Sequence, residues 1–177
     1  MTEAKYIWMD GKFVDWHDAK VHVLSHTLHY GNGAIEGTKA YKTHDGRCAI
    51  FKLKEHTKRL LNSSKMTLMN VPFSEDELNK AQVELLQKNE LTEGAYIRPL
   101  VYLGYGVMGL YHKDAPVNVS ISAWEWGAYL GEEGLKKGVR VKISSMTRTP
   151  NTSGMGKAKA VANYLNSQMA KYEAVEA

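Results

Sequence analysis

Two runs rich in β-branched and aromatic residues, Ala95 to Leu103 and Val117 to Trp126, are joined only by Gly104 to Pro116, a stretch too short and too broken by glycine and proline to hold a crossover helix. Strands connected in this way pair as neighbours in a hairpin, which turns the fold away from a doubly wound parallel sheet. The rest of the chain agrees. Tyr6-Ile7-Trp8-Met9, Asp10-Gly11 and Phe13-Val14 read as strand, tight turn and strand; Ala40-Tyr41, His44-Asp45-Gly46 and Ala49-Ile50-Phe51 repeat the pattern. Lys54 to Met69 carries Leu60, Leu61 and Leu68 among polar residues and predicts a helix that ends before Pro72. Ser74-Glu75-Asp76-Glu77 has the form of a capping box, and Leu78, Ala81, Leu85 and Leu86 recur at helical spacing after it. Val139 to Ser144 adds a third β-rich run. Lys159 to Ala174, with Val161, Leu165, Met169 and Tyr172 three and four apart, predicts an amphipathic helix. Strands, two adjacent helices, then strands is an α+β order: an antiparallel-type sheet with two packed helices. Thr149 to Gly154 is the nearest approach to a boundary and divides residues 1–148 from 149–177.

The composition is that of an ordinary globular chain, 44% hydrophobic and 24% charged over 177 residues. A net charge of +4 is spread along the chain rather than run together, which argues against a nucleic-acid partner. The single cysteine, Cys48, allows neither an intrachain disulfide nor a cysteine-based zinc cluster and fits a reducing compartment. Met1 to Asp10 has no signal-peptide run, and no stretch approaches the roughly 20 apolar residues of a membrane span. The expectation is a cytoplasmic chain without a membrane partner.

Four local patterns suggest sites. Gly104-Tyr105-Gly106-Val107-Met108-Gly109 matches G-x-G-x-x-G after a predicted strand, but no helix follows to receive a pyrophosphate, so it reads as a hairpin loop. His22, His26 and His29 would share one face of a helix, yet Val21 and Val23 alternate as in a strand and no carboxylate lies in the cluster; the histidines read as structural and no metal is expected. Trp124 and Trp126 fall on one side of a strand and, taken alone, read as core. Lys157 and Lys159 lie among glycine and alanine with no acidic residue nearby. Small neighbours leave room for a flat ring, and a lysine without anionic partners is suited to Schiff-base chemistry; composition alone favours a solvated helix start.

Several segments in order tip that balance: His29-Tyr30-Gly31, Ile35-Glu36-Gly37, Glu55-His56 with Arg59, Tyr96-Ile97-Arg98-Pro99, Trp126 to Gly131, and Lys159 four residues before Asn163-Tyr164-Leu165. Together they resemble the branched-chain amino-acid aminotransferases among the fold-type IV pyridoxal-phosphate enzymes, from Tyr6 onward. The resemblance implies that residues 1–148 are the small N-terminal domain and 149–177 the interdomain segment with the first helix of a cofactor-binding domain. It implies pyridoxal 5'-phosphate held by Lys159 through a Schiff base, Lys159 also carrying the α-proton, with Arg59 on the phosphate and Tyr164 near the phenolic oxygen. Tyr30, Gly37, Tyr96, Trp126 and Tyr129 would shape the substrate pocket, with Arg98 meeting the γ-carboxylate of glutamate. Met108 and Leu110 would lie in a loop reaching a neighbouring subunit's site, implying a homodimer or larger homo-oligomer. The implied reaction is transamination of leucine, isoleucine and valine with 2-oxoglutarate, the ligands being these amino acids, glutamate and their 2-oxo acids. D-amino-acid aminotransferases and aminodeoxychorismate lyases share the fold and lysine. Tyr96-Ile97-Arg98 resembles the branched-chain group, and Gly104 to Pro116 lacks the arginine-and-histidine pair of the D-specific relatives. A non-catalytic fragment is the reading from another class. Ile35 and Lys39 stand where many members have Phe and Arg. The family continues beyond the position of Ala177 into a second domain that supplies an acid to the pyridine nitrogen and main-chain groups to the phosphate.

Overall fold

A computed structural model describes residues 2–127, 131–150, 152 and 156–177. Its centre is one seven-stranded sheet in which every pairing is antiparallel. Strand β6 (Gly94–Leu103) is the axis, with β7 (Val117–Trp124) on one side and, end to end on the other, β3 (Gly33–Ile35) and β4 (Thr38–Lys42). Beyond β7 lie β1 (Tyr6–Met9) and then β2 (Lys12–Asp15); beyond β4 lies β5 (Cys48–Ile50). Helix α1 (His26–Tyr30) is a short turn before β3, α2 (Leu53–Met66) and α3 (Glu75–Lys88) stand together between β5 and β6, and α4 (Gly131–Lys137) and α5 (Tyr164–Val175) follow β7. The expected α+β architecture is therefore present. Among the described residues no helix is long and apolar enough to cross a membrane.

Local chemistry accounts for the sharpest features. Met9 pairs with Lys12, leaving Asp10 and Gly11 at φ 46° and 90° as a two-residue turn whose twist suits a hairpin. The capping box forms as the sequence predicts: Glu77 donates its N–H to Ser74 Oγ, and the Ser74 N–H is accepted by the Glu77 carboxylate at 2.7 Å.

Strand alternation divides β6 between two faces. Ala95, Ile97, Val101 and Leu103 point with Val119, Ile121 and Trp8 towards Leu60 of α2 and Leu78 and Leu85 of α3, forming the core. Tyr96, Arg98 and Leu100 take the opposite face. Pro99 sits inside this central strand, where a proline is unusual. Its carbonyl accepts the Glu36 N–H at 2.9 Å, but it has no N–H to return to the Glu36 carbonyl. The ladder is interrupted there, and β3 and β4 are separated by Glu36 and Gly37.

Other expectations need correction. Val139 to Ser144 is not a strand: Val141 and Ile143 are 90% and 97% exposed, because β-branched residues extend a backbone but a ladder needs a partner edge. The predicted terminal helix begins at Tyr164, after a 3-10 turn at Val161–Asn163, and Lys159 lies outside it in extended chain. Leu165, Met169 and Tyr172 are exposed rather than a buried stripe. No strand forms at Val21 to Val23, β7 ends before Trp126, and α1 and α4 were not anticipated.

Candidate active site

The segment carrying Lys159 is fastened to the sheet edge. The Lys159 N–H donates to Ser63 Oγ at 3.0 Å, its carbonyl accepts the Ile35 N–H at 3.1 Å, and Ala160 bridges to Ala34. Ala158 and Ala160 are buried on either side, whereas Lys157 is exposed. Lys159 Nζ is 2.6 Å from Tyr164 Oη. Ser63, which no sequence pattern singled out, thus sets the position of the lysine from α2.

Arg59, Lys159 and Tyr164 line one cleft of about 650 Å3, together with Arg148 and Lys157. Its lining has four cationic side chains, Arg59, Arg148, Lys157 and Lys159, and no carboxylate among the described residues. That donor set fits a phosphate-bearing aldehyde cofactor: an amine flanked by small residues for the aldehyde, and guanidinium groups for the phosphate.

Behind the cleft lies Glu36, 1% exposed on the helix side of the sheet. Arg59 donates to it from Nε at 2.5 Å and Nη2 at 2.8 Å, His56 Nδ1 is 2.9 Å away, and the Gly37 N–H adds a bond at 3.2 Å. A carboxylate only accepts, so His56 carries its proton on Nδ1. Burial opposes ionisation of Glu36, but Arg59, His56 and Gly37 outweigh it and hold the carboxyl below the usual carboxylate range.

This clamp predicts a pH-dependent penalty. Glu36 stabilises the fold above the ordinary carboxylate pKa of about 4.3, and that contribution fades as pH falls through its lowered folded value. Arg59→Ala leaves a buried charge with weaker partners and should cost about 2 kcal/mol at pH 7, discounted because Arg59 is half exposed and His56 remains. The penalty should shrink towards pH 3 as Glu36 takes a proton. Urea unfolding of both proteins at pH 7 and pH 3 checks this; an equal penalty at both values would refute the clamp as its origin.

On the opposite face Arg98 Nη2 donates to Tyr96 Oη at 2.7 Å, and its guanidinium lies over the Tyr96 ring at 5.1 Å. Trp126 meets Tyr96 edge-on at 4.7 Å and Trp124 lies 5.1 Å from it, so both tryptophans belong to this open face and not to the core. Gly37 belongs here by necessity: a Cβ on it would lie 2.1 Å from Tyr96 Oη. The buried Arg98 Nε has no hydrogen-bond partner among the described residues. Tyr30 is held separately on α1 with its ring 4.5 Å from His26, and Tyr129 lies outside the described residues.

Met108 and Leu110 are exposed in the loop that joins the paired strands β6 and β7, and no helix stands between the two strands. His26 anchors this loop through Nε2 and the Gly109 carbonyl at 2.8 Å, while His22 and His29 bond to the backbone of Leu24 and Val23. Each of the three histidines is thus engaged with main chain.

Lys159 thus lies at the outer edge of β3 in a cleft lined by cations, and the aromatic, arginine-bearing face of β6 is turned away from the core. The chain belongs to the class IV aminotransferase family, whose profile, described as amino-transferase class IV, matches residues 33–177. Among individual proteins it is 48% identical over 169 residues to the branched-chain-amino-acid aminotransferase of Pseudomonas aeruginosa, covering 96% of this chain and 54% of that one. It superposes on the branched-chain amino acid aminotransferase of Escherichia coli at a TM-score of 0.89 and 43% identity, covering 98% of this chain and 57% of that chain. The branched-chain aminotransferase of the thermophilic archaeon Thermoproteus uzoniensis, solved with norvaline, gives 0.91 and 38%, with coverage of 98% and 57%. The chain spans about half the length of the curated relatives it matches.

Proposed function

We propose that this chain provides the cofactor lysine and substrate-facing sheet of a branched-chain amino-acid aminotransferase that exchanges the amino group of leucine, isoleucine or valine with 2-oxoglutarate. The observation that carries the reading is the Lys159 amine 2.6 Å from Tyr164 Oη in a cleft lined by cations. Bound pyridoxal 5'-phosphate supplies the aldehyde and electron-withdrawing ring that make an α-proton acidic. Lys159 holds the cofactor and moves the proton at the substrate α-carbon, Tyr164 orients the amine, and Arg59 holds the phosphate. Tyr96 and Trp126 offer apolar walls to a branched side chain, with Gly37 leaving the space; Tyr30 and Tyr129 complete the pocket. Arg98, whose buried Nε has no hydrogen-bond partner among the described residues, receives the γ-carboxylate when glutamate takes the same place. The division at residues 148 and 149, a cytoplasmic location, and a homodimer or larger homo-oligomer with Met108 and Leu110 at a neighbouring site belong to the same proposal.

Two experiments test it. Borohydride reduction with bound cofactor, followed by peptide mapping, should place the pyridoxyl group on Lys159, since Lys157 is exposed and outside the bonds that fasten the edge. A label on Lys157 would overturn the assignment. In an enzyme of the relatives' full length, Arg98→Ala should slow the glutamate half-reaction about tenfold to a hundredfold more than the leucine one, as one charge-assisted pair is worth roughly 1.5 to 3 kcal/mol. Equal losses in single-turnover kinetics would assign Arg98 to the α-carboxylate or the fold instead.

A further inference from the structure

Glu36 is the most thoroughly engaged buried charge of the described residues, yet it faces away from the substrate side and the mechanism above gives it no role. Its two oxygens take Nε and Nη2 of Arg59, so the Nη1 edge is the part of the guanidinium outside the pair. Arg59 is otherwise a long side chain, 54% exposed, on a helix surface. Left alone it would sample many rotamers, and much of its value to a ligand would be spent on ordering it. His56 and the Gly37 N–H hold the carboxylate in turn, and His56 and Arg59 stand three residues apart on one face of α2.

We infer that Glu36 is a positioning residue for cofactor phosphate: its carboxylate grips Arg59 bidentately and presents the remaining guanidinium edge to the cleft. The inference rests on the reading of that cleft as the cofactor site. It makes a prediction opposite in sign to simple charge counting. A carboxylate behind a phosphate site repels the anion, so neutralising it should on charge alone strengthen phosphate binding. If orientation dominates, neutralising it weakens binding.

The test is titration of an enzyme of the relatives' full length and its Glu36→Gln and Glu36→Asp variants with pyridoxal 5'-phosphate and, separately, with pyridoxal, which lacks the phosphate. The unsubstituted enzyme should prefer the phosphorylated compound. Glu36→Gln should lower that affinity about tenfold, the worth of one charge-assisted bond, and leave pyridoxal affinity within about twofold. Glu36→Asp keeps the charge but is one methylene too short for the bidentate grip, and should lose a similar factor. In an Arg59→Ala background the Glu36→Gln change should add no further phosphate-specific loss. Phosphate affinity that is unchanged or higher in Glu36→Gln would overturn the inference, as would equal losses for both ligands, which mark a merely structural residue. An unsubstituted enzyme with no preference for the phosphorylated compound would overturn the reading of the cleft and the positioning role with it.

Discussion

Replacing Lys159 by alanine in an enzyme of the relatives' full length should reduce kcat/KM for leucine with 2-oxoglutarate by at least about a thousandfold. General acid-base transfer by a positioned group typically contributes 10²- to 10⁴-fold, and in the proposed function the same amine also holds the cofactor. The cleft does contain a second lysine, Lys157, but it is exposed and outside the bonds to Ser63 and Ile35 that fasten Lys159 to the edge. It should not substitute. Small primary amines added to the variant should restore part of the rate, because they replace the proton carrier without replacing the anchor, and Lys157→Ala should stay within a few-fold of the unsubstituted enzyme. A Lys159→Ala protein retaining a tenth of the activity would refute the assignment.

The 177-residue chain by itself should bind pyridoxal 5'-phosphate weakly and turn over leucine at no useful rate, although Lys159, Arg59 and Tyr164 share one cleft. The cleft offers no carboxylate among the described residues for a pyridine nitrogen. The family resemblance assigns that acid and several main-chain phosphate contacts to residues beyond this chain. Losing two charge-assisted bonds of roughly 1.5 to 3 kcal/mol each lowers affinity about a hundredfold to ten-thousandfold. The exposed Leu165, Met169 and Tyr172 should leave α5 frayed. Cofactor absorbance, α5 amide exchange and a leucine assay, run beside a protein of the relatives' full length, check this. Tight binding with near-full turnover would show that these residues suffice.

Legibility in the sequence followed the range of the interactions. The Asp10-Gly11 turn and the Ser74–Glu77 capping box are settled within four residues, so their patterns name them and the structure has them. The β-rich run at Val139 to Ser144 fails because its residues describe what a strand could be made of, not whether an edge is available. Trp124 and Trp126 reveal the limit of alternation: period two puts them on one face but does not say which face is covered by helices. Glu36 went without a role although the segment around it was noticed. Its partners come from twenty and twenty-three residues away, and the available signal was an acid directly after the apolar run Ala34-Ile35, with His56 and Arg59 three apart in a predicted helix. Ser63 had no such signal, since a hydroxyl accepting one distant N–H leaves no mark on its neighbours.

The fastening of Lys159 to Ile35 and of Ala160 to Ala34 also sets a schedule for synthesis. Ribosomes add about 5 to 20 residues per second, so β3 emerges roughly 6 to 25 seconds before the segment that closes its outer edge. The sheet between β1 and β7 can condense in that interval with helices α2 and α3 against it, while the edge at Gly33–Ile35 waits unpaired. An unpaired edge of glycine, alanine and isoleucine invites other strands. The order of translation therefore brings Lys159 to this edge well after the rest of the sheet has formed, and its arrival caps a stretch of nascent chain open to mispairing.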